Sequence, residues 1–445
     1  MNIAQVILSL PFKTRNADEF VDENILSLFV DPTDGVAGPF DYRNEIIKGK
    51  MGTGKTMYLR ANYIYHLSIL VPQMIERKPL ILPLYLKLSD FQNLHEPGKI
   101  YDQIIIRLIQ EILNTCEKLQ SANELVNLHN GFQNNVVGMW FNRVSQNAIV
   151  EKLNEITAEE YTRQVSTELS TQGTVGHNFL TACTQYGKTN FIELKKKEEP
   201  QIADFVFAYE TLLRQIDCKL LILLDEVGSI DKSFFEEHGG ASFFETLMNQ
   251  LRTLDFVRTK IAVYPHTFAD VLTETRYGDV ILLEDDIYSP DGYKAFLNKT
   301  ISIVEKYVGV VASDFESIES LFAVDKSNMQ MLEQIIYASD GNMRRLVQLL
   351  DATLNECYKR CEGKERAVLA DALAAIKNQA RQMEQLYFGT DLDFLRTLTV
   401  VCKRRTAYRF MFPNKSPILL KYINKSSEYN IIKIKEVGTG RRGTT

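Results

Sequence analysis

The stretch Gly49-Lys50-Met51-Gly52-Thr53-Gly54-Lys55-Thr56 spaces its glycines, lysine and hydroxyl as G-x-x-x-x-G-K-[ST]. Glycines let successive backbone N–H groups wrap an anion, and a helix start beyond them adds more N–H donors. Lys55 is suited to terminal phosphates and the Thr56 hydroxyl to Mg²⁺. Nucleotide contacts are expected from Gly49, Met51, Gly52, Thr53, Gly54, Lys55, Thr56 and Met57. A second chemical element is Lys219-Leu220-Leu221-Ile222-Leu223-Leu224-Asp225-Glu226. Its five consecutive apolar residues predict a strand buried on both faces. At the end of that strand Asp225 would hold the metal ion with Thr56. Glu226 beside it would polarise an attacking water as general base. A carboxylate next to the metal acid, without an N-K-x-D signal, favours ATP over GTP. The cofactors implied are ATP and Mg²⁺.

Positioning such groups requires a sheet. Residues 45–48 form a short apolar strand before the loop, and 57–70 form a helix after it. Further strands are expected at 79–88, 219–226, 260–267 and 278–286, with a helix over 241–257. Strand–helix alternation of this kind predicts an α/β fold with a doubly wound parallel sheet.

The motifs in this order resemble those of AAA+ P-loop ATPases. The resemblance implies a polar sensor on the strand lying between the two motif-bearing strands. His266 or Thr267 matches that position. "ETRYGDVILLEDD" matches the box with an arginine finger before the last core strand, so Arg276 is the expected finger, acting in trans on a neighbouring copy. "SDGNMRRLVQLL" (339–350) is similar to the lid-helix start of the origin-recognition initiator branch, and Arg344 matches its second sensor. ATP would then lie between core and lid, with guanidinium groups neutralising the γ-phosphate. One departure is the spacing of 170 positions between Lys55 and Asp225. An insertion at about 113–200 accounts for it and contains Trp140.

The bulk numbers are those of a soluble, multidomain chain: 445 residues, 45% hydrophobic, 24% charged and a net charge of −6. No run of 18 apolar residues is present, and the first twenty residues lack a basic n-region, so a cytoplasmic location without membrane contact is expected. Six scattered cysteines include no C-x-x-C. Cys357 and Cys361 stand four apart on a predicted helix without a nearby His, which argues against zinc. Charge is uneven. Residues 401–445 carry eleven Lys or Arg against two acids, Glu428 and Glu436. This tail resembles part of a winged-helix module, incomplete at its wing. Lys403, Arg404, Arg405, Arg441 and Arg442 are its expected DNA contacts.

The expected organisation is an N-terminal segment (1–40), an AAA+ core (41–288), a helical lid (289–386) and the basic module (387–445). The expected function is an ATP-hydrolysing, nucleotide-dependent oligomeric switch. Its partners would be copies of itself and double-stranded DNA. The alternative is the ATPase or scaffold of a bacterial signalling or antiphage defence system that binds an effector protein instead of DNA. A non-hydrolysing regulator of transcription fits less well with the intact acid pair.

Overall fold

The computed structural model describes residues 2–33, 38–70, 73, 79–128, 200–214, 218–237, 240–264, 277–324, 328–385 and 387–406. The chain divides into two compact units. One comprises Asn16–Gly49 and Lys55–Leu283, and the other comprises the described residues of Met1–Arg15, Lys50–Gly54 and Glu284–Thr445.

Among the described residues, the first unit is built on five parallel strands: β1 (Glu45–Lys48), β2 (Leu80–Lys87), β3 (Cys218–Asp225), β4 (Val257–Val263) and β5 (Asp279–Leu282). Their spatial order is β2-β3-β4-β1-β5, which puts β4 between the two motif-bearing strands. Alternation along β3 explains the apolar run. Leu220, Ile222 and Leu224 enter one core, while Leu221 and Leu223 enter the other. The first core is closed by α4 (Pro97–Leu128), α5 (Ile202–Leu212) and α6 (Phe243–Thr253), with Ile104, Phe205 and Leu247 among the buried residues. The second is closed by α2 (Asp22–Leu28) and α3 (Lys55–Ser68) through Ile25, Tyr58 and Leu59. The result is an α/β fold compatible with that of P-loop nucleotide-binding proteins.

Several elements differ from their sequence limits. The strand expected at 260–267 starts earlier, at Val257, because that residue is buried and pairs with Leu220. The helix expected at 241–257 is shorter, since Ser242 caps its start by accepting from the Glu245 N–H at 3.1 Å. The strand at 278–286 pairs only over Asp279–Leu282. Helix α4 runs on past residue 113, where the insertion was expected to begin.

In the second unit, α1 (Ile3–Leu8) precedes four longer helices: α7 (Pro290–Val311), α8 (Gln330–Ser339), α9 (Met343–Cys361) and α10 (Leu369–Glu384). Residues 290–386 are not helical throughout. A 3-10 turn at Ile318–Ser320 and a bridge from Phe322 to Ala367 interrupt them. Helix α9 buries Leu346, Leu349, Leu350, Thr353, Leu354 and Cys357, one helical stripe. The described residues before Asn16 pack here too: Phe12 stacks on Tyr307 at 6.0 Å, and Arg15 pairs with Asp351 at 3.0 Å. A last helix, α11 (Gly389–Arg405), ends the described chain. No described helix is long and apolar enough to cross a membrane.

A buried ion pair fixes the β1/β4 register at the end of the sheet away from the glycine loop. Lys260 and Glu45 are directly opposed, their charged atoms lie 3.0 Å apart, and both side chains are wholly buried. Lys260 also donates to the Pro39 carbonyl at 2.7 Å, and Arg43 Nε donates to Glu45 at 2.8 Å. Removing Lys260 takes one cation from a buried carboxylate that Arg43 and the Tyr58 hydroxyl still contact. Lys260→Met is expected to cost about 3 kcal/mol, with Glu45→Leu/Lys260→Met recovering most of it, read from urea unfolding midpoints. His66 lies buried nearby, its pKa lowered to about 4 first by burial and second by the Lys260 charge. An unfolded histidine protonates near 6.5, so between those values the unfolded chain binds more protons. Stability is expected to fall by about 1.4 kcal/mol per pH unit as pH drops from 6.5 to 4, and His66→Gln to flatten that slope.

Candidate nucleotide-binding site

Parallel pairing brings the C-terminal ends of β2 and β3 to one edge, with Lys87 opposite Asp225. Asp225 is 1% exposed. Its Oδ2 accepts from the Tyr85 hydroxyl at 2.7 Å, and its Oδ1 accepts from the Glu226 N–H at 2.8 Å. Thr56, in the first turn of α3, is a third hydrogen-bond partner. Burial raises the Asp225 pKa above the usual carboxylate range, and these hydrogen bonds oppose the rise. Such a carboxylate gains from a cation placed against it, which fits a Mg²⁺ ligand.

Glu226 stands in the left-handed region, with φ 53° and ψ 37°. A non-glycine residue there costs about 1–2 kcal/mol, a strain found where a side chain must be aimed. Lys87 Nζ lies 3.6 Å from a Glu226 carboxylate oxygen and 2.9 Å from Asp18 Oδ2. Burial works against the Lys87 charge, but Asp18, Glu226 and Asp225 together hold its pKa above the ordinary value. Lys55 is buried, donates to the Gly49 carbonyl at 2.7 Å and lies 4.2 Å from the Tyr264 ring centroid. Met57 packs against the core containing Tyr58 and Leu59.

Residues 50–54 are tied to α9. Asn342 caps that helix by accepting from the Arg345 N–H at 3.0 Å, and its Nδ2 donates to the Met51 carbonyl at 2.7 Å. The Arg344 N–H donates to the Gly52 carbonyl at 3.1 Å. Gly52 has φ +80°, and a Cβ there would lie 2.6 Å from Asn342 Oδ1. Gly54 has φ +98° and open space where a Cβ would project. Positive φ and free space over bare backbone are what a phosphate cradle requires. Thr53 donates through Oγ1 to the Lys50 carbonyl at 2.9 Å. The Arg344 side chain lines a polar cleft of about 620 Å³ with Arg15, Arg345, Gln348, Asp351 and Gln379.

Among the expected site residues, His266, Thr267, Arg276, Arg441 and Arg442 lie outside the described residues. Lys403, Arg404 and Arg405 occupy the exposed last turn of α11, where cations also complement the helix C-terminus. Tyr85, Lys87, Asn342 and Tyr264 were not singled out by sequence. Polar residues closing an apolar strand were the available signal for the first two. The Gly-Asn pair before α9 was the signal for Asn342.

A family model described as ORC-CDC6-like matches residues 10–90, consistent with the ORC/CDC6-like AAA+ branch. The match spans the glycine loop, α3 and β2 but stops before Asp225. No curated protein matches the chain.

Tyr85→Phe removes one Asp225 partner without changing shape. It is expected to weaken Mg²⁺-dependent ATP binding about tenfold, about 1.4 kcal/mol, and to leave Mg²⁺-free binding unchanged. Calorimetric titrations with and without the metal would check this.

Proposed function

We propose that this chain is an ATP-binding and ATP-hydrolysing switch of the AAA+ type whose assembly depends on its nucleotide and which acts on DNA. The observation that carries the reading is the Asp225 cluster: a buried carboxylate on β3, bonded to the threonine of a G-x-x-x-x-G-K-T loop, with Glu226 aimed beside it. In this reading the loop Gly49–Thr56 holds the phosphates and Lys55 exchanges the Gly49 carbonyl for a phosphate oxygen. Mg²⁺, when bound by Thr56 and Asp225, would neutralise charge on the phosphates. Glu226 takes the proton of the attacking water. Lys87 sits beside Glu226 and sets its orientation. Arg276 is assigned to a neighbouring copy's nucleotide and Arg344 to sensing the γ-phosphate. The Asn342 and Arg344 bonds to Met51 and Gly52 support the second of these roles.

DNA is the proposed partner because of the basic surplus after residue 400 and the ORC-CDC6-like match. The alternative, a defence or signalling scaffold docking an effector protein, is favoured by the long insertion.

The test is ATP turnover with and without double-stranded DNA at low and moderate salt. Lys55→Ala is expected to abolish ATP binding. Glu226→Gln is expected to bind ATP normally and to lower turnover by about 10²-fold or more. Arg276→Ala should bind ATP but lose turnover. Normal hydrolysis by Arg276→Ala would remove the finger assignment. Turnover indifferent to DNA at both salt concentrations would shift the function to the protein-docking scaffold.

A further inference from the structure

Helix α9 ends in two thiols that the nucleotide chemistry does not use. Cys357 and Cys361 stand one turn apart with Sγ atoms 3.8 Å from each other. Cys357 is fully buried, while Cys361 is partly exposed. Both sulfurs face the Glu365 carbonyl, at 3.5 and 3.7 Å. The Arg360 guanidinium reaches within 4.0 Å of Cys357 Sγ and is held by Asp371 and Glu365.

The two thiols are unequal. Burial opposes ionisation of Cys361, but hydrogen bonds from the backbone at Glu365 and Gly363 and from Cys357, with the Arg360 charge, bring its pKa below the ordinary value. Cys357 is pushed up to about 12, first by burial and then by Cys361. A partly exposed, ionisable sulfur beside a buried, protonated one is the arrangement of a peroxide-sensitive pair.

Backbone geometry permits closure at one place. Residues four apart in a helix have Cα atoms about 6 Å apart, inside the disulfide range, but their Cβ atoms must approach to about 4 Å. Cys361 is the last helical residue, followed by Glu362 at φ 52° and Gly363 at φ 72°. Only the final turn has to open. Helix α1 packs on α9, and a Cβ on Gly363, two residues past the end of α9, would lie 2.5 Å from the Ala4 Cα.

We propose that Cys357 and Cys361 form a reversible peroxide-responsive dithiol whose closure to a disulfide opens the last turn of α9 under α1. The Cys361 thiolate attacks one oxygen of a hydroperoxide. The O–O bond breaks, an alcohol or water leaves with the thiol proton, and Cys361 becomes a sulfenic acid. Cys357 sulfur then attacks Cys361 sulfur, the S–O bond breaks, and hydroxide leaves as water with the Cys357 proton. Two thiols lose two protons and two electrons, and one peroxide is reduced.

The experiment treats the full chain with stoichiometric hydrogen peroxide, blocks remaining thiols with N-ethylmaleimide and digests with trypsin. Lys359 and Arg360 lie between the cysteines, so the disulfide joins two separate tryptic peptides. The joined species is expected as the main Cys361 product and should disappear with dithiothreitol. Cys357→Ser should halt Cys361 at a dimedone-trappable sulfenic acid. Cys361→Ser should slow Cys357 oxidation at least about tenfold, the loss expected when the thiolate is removed. Conversion of wild-type Cys361 to sulfinic acid without the joined peptides, or its pairing with another cysteine, would overturn the proposal. Neither variant lies in the nucleotide loop, so these outcomes do not depend on ATP turnover.

Discussion

A carboxylate taken out of water must be compensated by hydrogen bonds, and Asp225 draws its compensation from three stretches of chain. Tyr85 comes from the neighbouring strand, Thr56 from the start of α3, and the Glu226 N–H from the turn that follows. Only Glu226 is adjacent to Asp225 in sequence; Tyr85 lies 140 positions away, and Thr56 further still. Their meeting depends on the β2/β3 register, in which Tyr85 pairs with Leu223 and Lys87 with Asp225. A slip of one residue would turn Tyr85 to the opposite face and strand the carboxylate. The two apolar layers that flank β3 therefore do more than hold the sheet. They fix the height at which the acid ends.

How far the fold could be read from sequence follows from which contacts are local. The β3 run was legible because a strand covered on both faces has no polar alternation to hide it. The glycine loop was legible because its chemistry depends on spacing within eight residues. Strand and helix ends were less so, because they are set by tertiary partners: Val257 joins β4 only by pairing with Leu220, and α6 begins only where Ser242 can cap it. Tyr85 and Lys87 meet Asp225 across a separation of well over a hundred residues, which no local pattern encodes. Asn342 shows the opposite case. Its cap position was visible beside Gly341, but its second bond, to Met51, spans 291 positions.

Glu226 and its surroundings show how charge is arranged around a strained residue. The left-handed turn at Glu226 directly follows the strand that ends in Asp225. Lys87 then stands between Glu226 and Asp18, so a residue of the N-terminal segment shares the cation that neighbours the proposed base.

Helix α9 has the glycine-loop residues Met51 and Gly52 bonded at its first turn and the cysteine pair at its last. Its 19 residues make a rod about 28 Å long. Two chemistries placed at the ends of one rod obey a symmetry that neither has alone. If thiol oxidation changes how tightly the loop holds phosphate by some factor, phosphate occupancy must change the redox equilibrium of the thiols by the same factor. Metabolic energy charge and oxidant load would then be read by this helix as one combined quantity.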